Sequence, residues 1–433
     1  MIVILGAGVT GLAAAMASGF PVYEAEHRVG GICSSYYVRP GHGDILDERP
    51  QDGDAYRFEI GGGHWIFGGD PVVLRFLDSL SPLERYCRRS SVFFSDRGAY
   101  VPYPLQNHLG YLGKDVAERA LNEIVAAPRK RPANMAEGLR LRFGETLDEL
   151  FFAPFHRLYT AGLWTEIAPQ DDYKTPVDFD LVLKGAFDAT PPVGYNATFA
   201  YPANGLDALT RRLAERCRVI TGKRVQRVDT QSRALYFADG TSAQYEMVLS
   251  TLPLNRMVRM AGLSLETPED PYTSVLVLNV GAERGPECPD DHWLYIPASR
   301  SGFHRVGLYS NVSSSFLPER ARKERSRVSI YLERAFRGGQ RPDEKEIAGY
   351  SAEAIGELQD WGFIRGVEAA HANWVEIAYT WSWPGSRWRM AALEELERRG
   401  IHQVGRYGRW VFQGIADSVE DGLVAGSALR AGL

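Results

Sequence analysis

Three glycines spaced Gly6-x-Gly8-x-x-Gly11, between a short apolar run and a helix-forming stretch, are the residues of this chain best suited to hold a phosphate. Gly6 permits a tight turn, Gly8 lets backbone approach a pyrophosphate, and Gly11 lets a helix lie against the preceding strand. The helix start then points free N–H groups at the anion, worth about 0.3–1 kcal/mol through the helix dipole. A second apolar run, Phe20–Tyr23, ends at Glu24, where a carboxylate takes the ribose hydroxyls of an unphosphorylated dinucleotide. His27-Arg28-Val29-Gly30-Gly31-Ile32 follows at once, and its glycine pair suits a second approach of backbone to a diphosphate. Arg28, Gly31 and Ile32 therefore join the candidate cofactor set.

Other stretches suit the rest of a ligand. Gly61-Gly62-Gly63-His64 can bring backbone against a flat ring system, with His64 beside that ring. In Tyr100–His108 two prolines hold the chain extended and display Tyr103 and Gln106. Trp293-Leu294-Tyr295, Phe303-His304-Arg305 and the aromatic run Tyr379, Trp381, Trp383 offer flat surfaces and one arginine, whose planar fork binds oxygens bidentately.

These residues need elements to carry them. The pattern predicts a strand at Ile2–Leu5, a helix at Leu12–Ser18, a loop or hairpin tip at 41–53 and a strand at Tyr56–Ile60. It turns helical from Pro71 to about Ile167, including Met135–Phe152, within an insertion spanning Phe67–Thr198. The chain returns at Phe199–Leu206 with an amphipathic helix, Asp207–Cys217. Strands Val219–Thr221 and Val225–Val228, a hairpin around Ala238-Asp239-Gly240, and the buried strand Met247–Ser250 opening through Thr251 to Pro253 come next. A second excursion, Asn255–Arg398, is expected to hold strand Thr273–Val280, a helix at Glu319–Phe336 and strand His371–Pro384. The chain closes with Gly405-Arg406-Tyr407-Gly408 and a helix from Ser418-Val419 to Ala428, whose small residues allow close packing on the first helix.

The fold class expected is α/β: a Rossmann-like dinucleotide domain with an inserted helical substrate domain and a second, β-sheet-rich domain. The boundaries read 1–66, 199–254 and 399–433 for the discontinuous cofactor domain, 67–198 for the helical lid and 255–398 for the β-rich domain. A length of 433 residues suits about two to three domains. A net charge of −5 and no basic stripe argue against nucleic acid, and Arg129-Lys130-Arg131 and Arg320-Ala321-Arg322-Lys323 read as solvated surface. The cysteines, Cys33, Cys87, Cys217 and Cys288, are dispersed, so neither a disulfide framework nor a metal site is expected. A strand directly after Met1 and the lack of a spanning apolar run lead us to expect a soluble, cytoplasmic protein.

The amino-terminal signature resembles that of the FAD-binding flavoproteins that include amine oxidases, protoporphyrinogen oxidases and UDP-galactopyranose mutases. Taken in order, several stretches resemble the mutases, particularly the eukaryotic type. They are Gly62-Gly63-His64 with Ile66-Phe67, Pro102–Asn107, Trp293–Pro297, Phe303–Arg305 with Ser310-Asn311, and Gly405–Gly408 with Trp410. The resemblance implies FAD, active when reduced, with NAD(P)H a candidate reductant and a nucleotide-linked sugar as substrate. In that family flavin N5 attacks the anomeric carbon, the nucleoside diphosphate leaves, and the sugar opens and recloses as a furanose with no net redox change. It implies that His64 adjusts the N5 environment and Arg305 holds diphosphate, while Tyr103 and Gln106 contact the nucleotide. Trp293, Tyr295 and Tyr379 would line the sugar and diphosphate site. Val225 would pack on adenine, and Thr251, Gly405, Arg406, Ser418 and Val419 would complete the cofactor contacts. Departures are visible too: no arginine stands between Trp164 and Lys184, Phe412 occupies a tyrosine position, and Ala416 an asparagine position. They suit a variant outcome such as glycosidic bond cleavage. The alternative is an FAD-dependent amine oxidase or desaturase, for which the aromatic run at 379–383 would seat an apolar or amine substrate.

Overall fold

The computed structural model describes residues 1–128, 130–169, 177–187 and 197–432. Its first layer is a five-stranded sheet in the order Val219–Ile220, Val22–Tyr23, Ile2–Leu5, Met247–Ser250, Ile401–Gln403, with every pairing parallel. A parallel sheet is covered on both faces, which is why Val3, Ile4 and Leu5 form an unbroken apolar run and are fully buried. The first helix, Val9–Ser18, carries alanines on its buried face and lies against the last helix, Ile415–Ala431. Glycine sets that spacing: a Cβ at Gly422 would fall 2.2 Å from the Thr10 carbonyl oxygen, and one at Gly426 2.3 Å from that of Ala14.

The second layer is a seven-stranded sheet in the order Ile364–Thr380, Tyr272–Arg284, Arg327–Arg337, Arg305–Leu308, Trp293–Tyr295, Ser90–Phe94, Ala99–Pro102. All neighbours are antiparallel except Trp293–Tyr295 and Ser90–Phe94. Two expectations are corrected here. The helix expected at Glu319–Phe336 is a single 3-10 turn, Glu319–Ala321, followed by the strand Arg327–Arg337. Its arginines and glutamates favour helix locally, but Val328, Ile330, Tyr331 and Leu332 are buried between two partner strands, and that burial decides. The helical reading from Pro71 holds for Pro71–Leu80 and again from Lys114. Between them lie strands Leu83–Cys87, Ser90–Phe94 and Ala99–Pro102.

The segment expected to stay extended past Pro104 instead winds into a 3-10 turn, Leu105–Asn107, which buries Gln106. Helices Lys114–Val125 and Met135–Leu147, a π-helical turn at Asp148–Phe152 and the helix Ala153–Tyr159 then build a separate apolar core around Phe143, Phe151, Phe152 and Phe155. That core abuts Tyr295, Tyr379 and Trp381 of the large sheet, so the floor of the space between them is aromatic. The architecture is therefore α/β, with a Rossmann-like layer, an inserted helical region and a second β-rich layer. Among the described residues no helix is long and apolar enough to cross a membrane, and no cluster of His, Cys, Asp and Glu could hold a metal ion.

Candidate functional site

The glycine turn is built for an anion. Gly6 sits at φ +91°, and a Cβ at Gly11 would fall 1.9 Å from the Gly6 carbonyl oxygen, so both positions require glycine. A Cβ at Gly8 would meet nothing within 4 Å, which leaves open space directly before the helix start. That helix has no side-chain cap and no acid in its first turn, so its leading amides are left for a ligand. Gly30 and Gly31 close over the turn through a bridge between Gly8 and Gly30, with Gly31 3.6 Å from Gly8 by its added Cβ. Glu24 is pinned at the rim by the N–H groups of Ala7 at 2.7 Å and Glu26 at 2.9 Å. Bare amides beside a fixed carboxylate are the donor set that an adenosine diphosphate moiety requires, so these residues fit FAD.

A second constellation lies where the glycine loop meets the large sheet. Gly62 and Gly63 press on the strand Arg327–Arg337: a Cβ at Gly62 would lie 3.2 Å from Glu333 Oε1, and one at Gly63 2.0 Å from the Tyr331 hydroxyl. The face expected to be open toward a flat ring is thus occupied, at these two positions, by the sheet. His64 folds back over Gly61, with Nδ1 3.4 Å from the Gly62 carbonyl oxygen. Burial, and then the positive charge of Arg406, push its pKa down, so the ring is neutral near pH 7.

Arg305 projects from strand Arg305–Leu308, its side chain 21% exposed, 3.3 Å from Glu333 Oε2 and over the Tyr295 ring at 5.7 Å. Tyr295 packs on Tyr103 as a tilted pair with ring centroids 4.2 Å apart, and the Arg88 guanidinium donates to the Tyr103 carbonyl at 2.9 Å. Behind them Tyr159 meets Tyr379 at 4.8 Å, Trp381 at 5.6 Å and His304 at 5.3 Å. Burial opposes charge on Glu333, yet Arg305 and His304 hold its carboxyl down at about 2. Arg406 reaches in from the carboxy-terminal segment. It donates to the carbonyls of Gln413 and Ala378 at 2.9 and 3.1 Å and lies 4.6 Å over the Phe412 ring.

The expected site residues fall into groups. His64, Arg305, Tyr295, Tyr379, Arg406 and Phe412 form one neighbourhood linked through Arg305, Arg406 and Glu333, and Tyr103 joins them by its ring contact with Tyr295. Trp293, Gln106 and Trp164 are buried, Trp293 against Phe67 and Trp164 beside His156. Gly6, Gly8, Gly11, Glu24, Gly31 and Thr251 meet at the glycine turn, where Thr251 Oγ1 donates to the Leu5 carbonyl at 2.9 Å. Gly405 packs on Thr10, and Ser418 and Val419 are buried in the first turns of the last helix. Arg28 points to the surface in an exposed pair with Asp47 at 3.1 Å, and Val225 is half-buried in a strand facing Phe237. Glu333, Tyr331, His304 and Tyr159 were not among the expected residues. A β-branched and aromatic run, Val328–Leu332, was the available signal for the strand that carries Glu333.

Comparisons with solved structures agree with the fold described above. The fold is similar to that of a reduced UDP-galactopyranose mutase, with a TM-score of 0.83 at 23% identity over 100% of this chain and 96% of that one. It is similar also to a CLA-producing fatty acid isomerase from P. acnes, at TM-score 0.60 and 14% identity over 99% and 98%. A putrescine oxidase bound to putrescine follows at TM-score 0.56 and 17% identity over 99% and 98%. The sequence profile of the flavin containing amine oxidoreductases matches residues 18–425, nearly the whole chain. The chain belongs to the flavin containing amine oxidoreductase family, with a fold like that of the UDP-galactopyranose mutases.

Proposed function

We propose that this flavin enzyme acts as a UDP-galactopyranose mutase-like isomerase on the anomeric carbon of a nucleotide sugar or a related glycoside. The observation that carries the reading is Arg305: a permanent cation, partly exposed, standing over an aromatic shelf beside a neutral histidine. When bound, reduced FAD supplies a nucleophilic N5 for that carbon. The glycine turn and Glu24 hold its adenosine half, and Thr251, Gly405, Arg406, Ser418 and Val419 hold the remainder. Arg305 binds the departing oxyanion as a charge-assisted pair. Tyr103 and Gln106 orient the nucleoside, Trp293, Tyr295 and Tyr379 wall the sugar from water, and His64 adjusts hydrogen bonding at N5. In this proposal segments 1–66, 199–254 and 399–433 serve the cofactor, while 67–198 and 255–398 serve the substrate. NAD(P)H as reductant and a cytoplasmic setting belong to the same proposal.

The family and the aromatic pair Tyr379 and Trp381, 6.1 Å apart, also suit an amine oxidase. Charge argues the other way. Arg305 is a partly exposed guanidinium at the aromatic shelf, a group that attracts anions and repels a protonated amine. The test is a product assay on FAD-loaded protein with a panel of nucleotide sugars, in air and after reduction under nitrogen. An isomer of equal mass formed only by reduced enzyme supports the mutase reading. Hydrogen peroxide formed from putrescine or another amine in air overturns it.

A further inference from the structure

The cluster beneath Arg305 is left short of partners. Arg305 Nη1 stands at long range from both Glu333 oxygens, 3.3 Å from Oε2 and 3.4 Å from Oε1. Glu333 Oε2, both ring nitrogens of His304 and Arg305 Nε are buried without a hydrogen bond. His304 Nε2 lies 3.4 Å from that same carboxylate oxygen, and its ring is sealed from solvent. Burying an unmet polar group costs about 1–3 kcal/mol. An ordinary structural ion pair would close these gaps with direct hydrogen bonds.

The surroundings limit where a proton could settle. Toward Glu333 face His64 from the glycine loop, Tyr331 on its own strand, Tyr295 and Arg305 from the neighbouring hairpin and Tyr379 from the strand Ile364–Thr380. Tyr350 of the helix Glu344–Asp360 acts on it as well. Tyr159 and His156 stand behind His304, and Arg406 acts on His64. Burial keeps Tyr331, Tyr350 and Tyr379 neutral, which leaves the carboxylate and the histidines as the groups that can accept a proton.

We propose that an anionic substrate group binding at Arg305 draws the guanidinium off Glu333, and that one proton from solvent then joins the Glu333–His304 pair. The proton settles on His304 Nε2 or Glu333 Oε2, no electrons move, and substrate binding becomes proton-linked. His304 is thus a positioning residue that acts through Glu333 and Arg305. The inference rests on the reading that Arg305 receives a substrate anion.

The experiment is calorimetric titration of UDP into the FAD-loaded, oxidised protein at pH 8 in HEPES and in Tris, buffers of different ionisation enthalpy. We expect uptake of close to one proton, with the dissociation constant rising by up to tenfold per pH unit toward pH 9. His304→Asn and Glu333→Gln should each abolish the uptake and keep the flavin spectrum. Glu333→Gln should also bind UDP more tightly, because Arg305 loses its competing carboxylate; this variant tests the proposal even if His304→Asn fails to fold. Equal heats in both buffers would overturn the linkage and leave Arg305 as the anion site. Uptake that persists in both variants would overturn the assignment to this pair. Failure of UDP to bind at all would overturn the reading of Arg305, and the linkage with it.

Discussion

Two buried glutamates, Glu59 and Glu333, carry opposite charge behaviour in the same protein. Glu59 accepts from Ser35 Oγ at 3.0 Å and from the Tyr201 hydroxyl, and near it Arg57 donates to Ser315 at 3.1 Å and lies 4.2 Å over the Phe316 ring. Asp207 shares the cluster, accepting from Tyr37 at 3.2 Å and Arg211 at 2.6 Å. Burial, with Asp207 adding to it, outweighs Arg57 and raises the Glu59 carboxyl to about 7. At Glu333 the guanidinium of Arg305 and the imidazole of His304 outweigh burial and keep the carboxyl charged. The difference teaches what each cluster is for. Both Glu59 oxygens are hydrogen-bonded and the group joins strands into one core, whereas Glu333 keeps an unbonded oxygen beside a partly exposed cation.

Four changes would break or sharpen this contrast. Arg305→Ala should cost most, lowering turnover about 10³-fold (about 4 kcal/mol) with FAD retained, as steady-state kinetics and the flavin spectrum would reveal. Activity within tenfold of wild type would remove Arg305 from the site. Glu59→Gln comes next. Because the folded state raises this carboxyl above its ordinary 4.5, its contribution is whole below about pH 4.5 and is lost as pH rises through 7. The variant should gain about 3 kcal/mol at pH 8 and nothing near pH 4, read by urea melts across that range. A parallel offset at every pH would refute the titration.

Glu333→Gln should destabilise by about 2 kcal/mol at pH 7, since it leaves Arg305 half-buried without its counter-ion. Here the sign reverses. The folded carboxyl lies below its ordinary value, so the wild-type advantage is present above about pH 4.5 and disappears as pH falls toward 2. Equal stability of the two proteins at pH 7 would count against the pair. Smallest is Tyr201→Phe, which removes one donor from Glu59 for about 1 kcal/mol and steepens the loss of stability between pH 5 and 7.

How much of this was readable in advance follows from how local each feature is. The glycine turn, Glu24 and the first strand and helix are marked by a local pattern of residue types, although Met247–Ser250 and the last helix complete their packing, and the structure places them as the pattern implies. Arg305 and the aromatic shelf were legible as residue types by resemblance, because flat rings and a fork-shaped cation stand out in any setting. Glu333 was hidden inside Arg327–Arg337, where Glu and Arg mimic an exposed helix and only pairing with the distant strand Tyr272–Arg284 makes a strand of it. Strands Leu83–Cys87 and Ser90–Phe94 were missed for the same reason, since their partners Thr198–Pro202 and Trp293–Tyr295 lie far along the chain, and Ala99–Pro102 is an edge strand held by Ser90–Phe94.

The packing of Gly422 and Gly426 on Thr10 and Ala14 sets an order of events during synthesis. The first helix is made well before the helix that covers it, roughly 20 to 90 s earlier at ordinary elongation rates. Until then its alanine face is bare on that side and the backbone carbonyls of Thr10 and Ala14 lack their cover. Truncation within the last helix should therefore leave that face exposed and yield chains that bind chaperones instead of FAD, as pull-down and flavin absorbance would show.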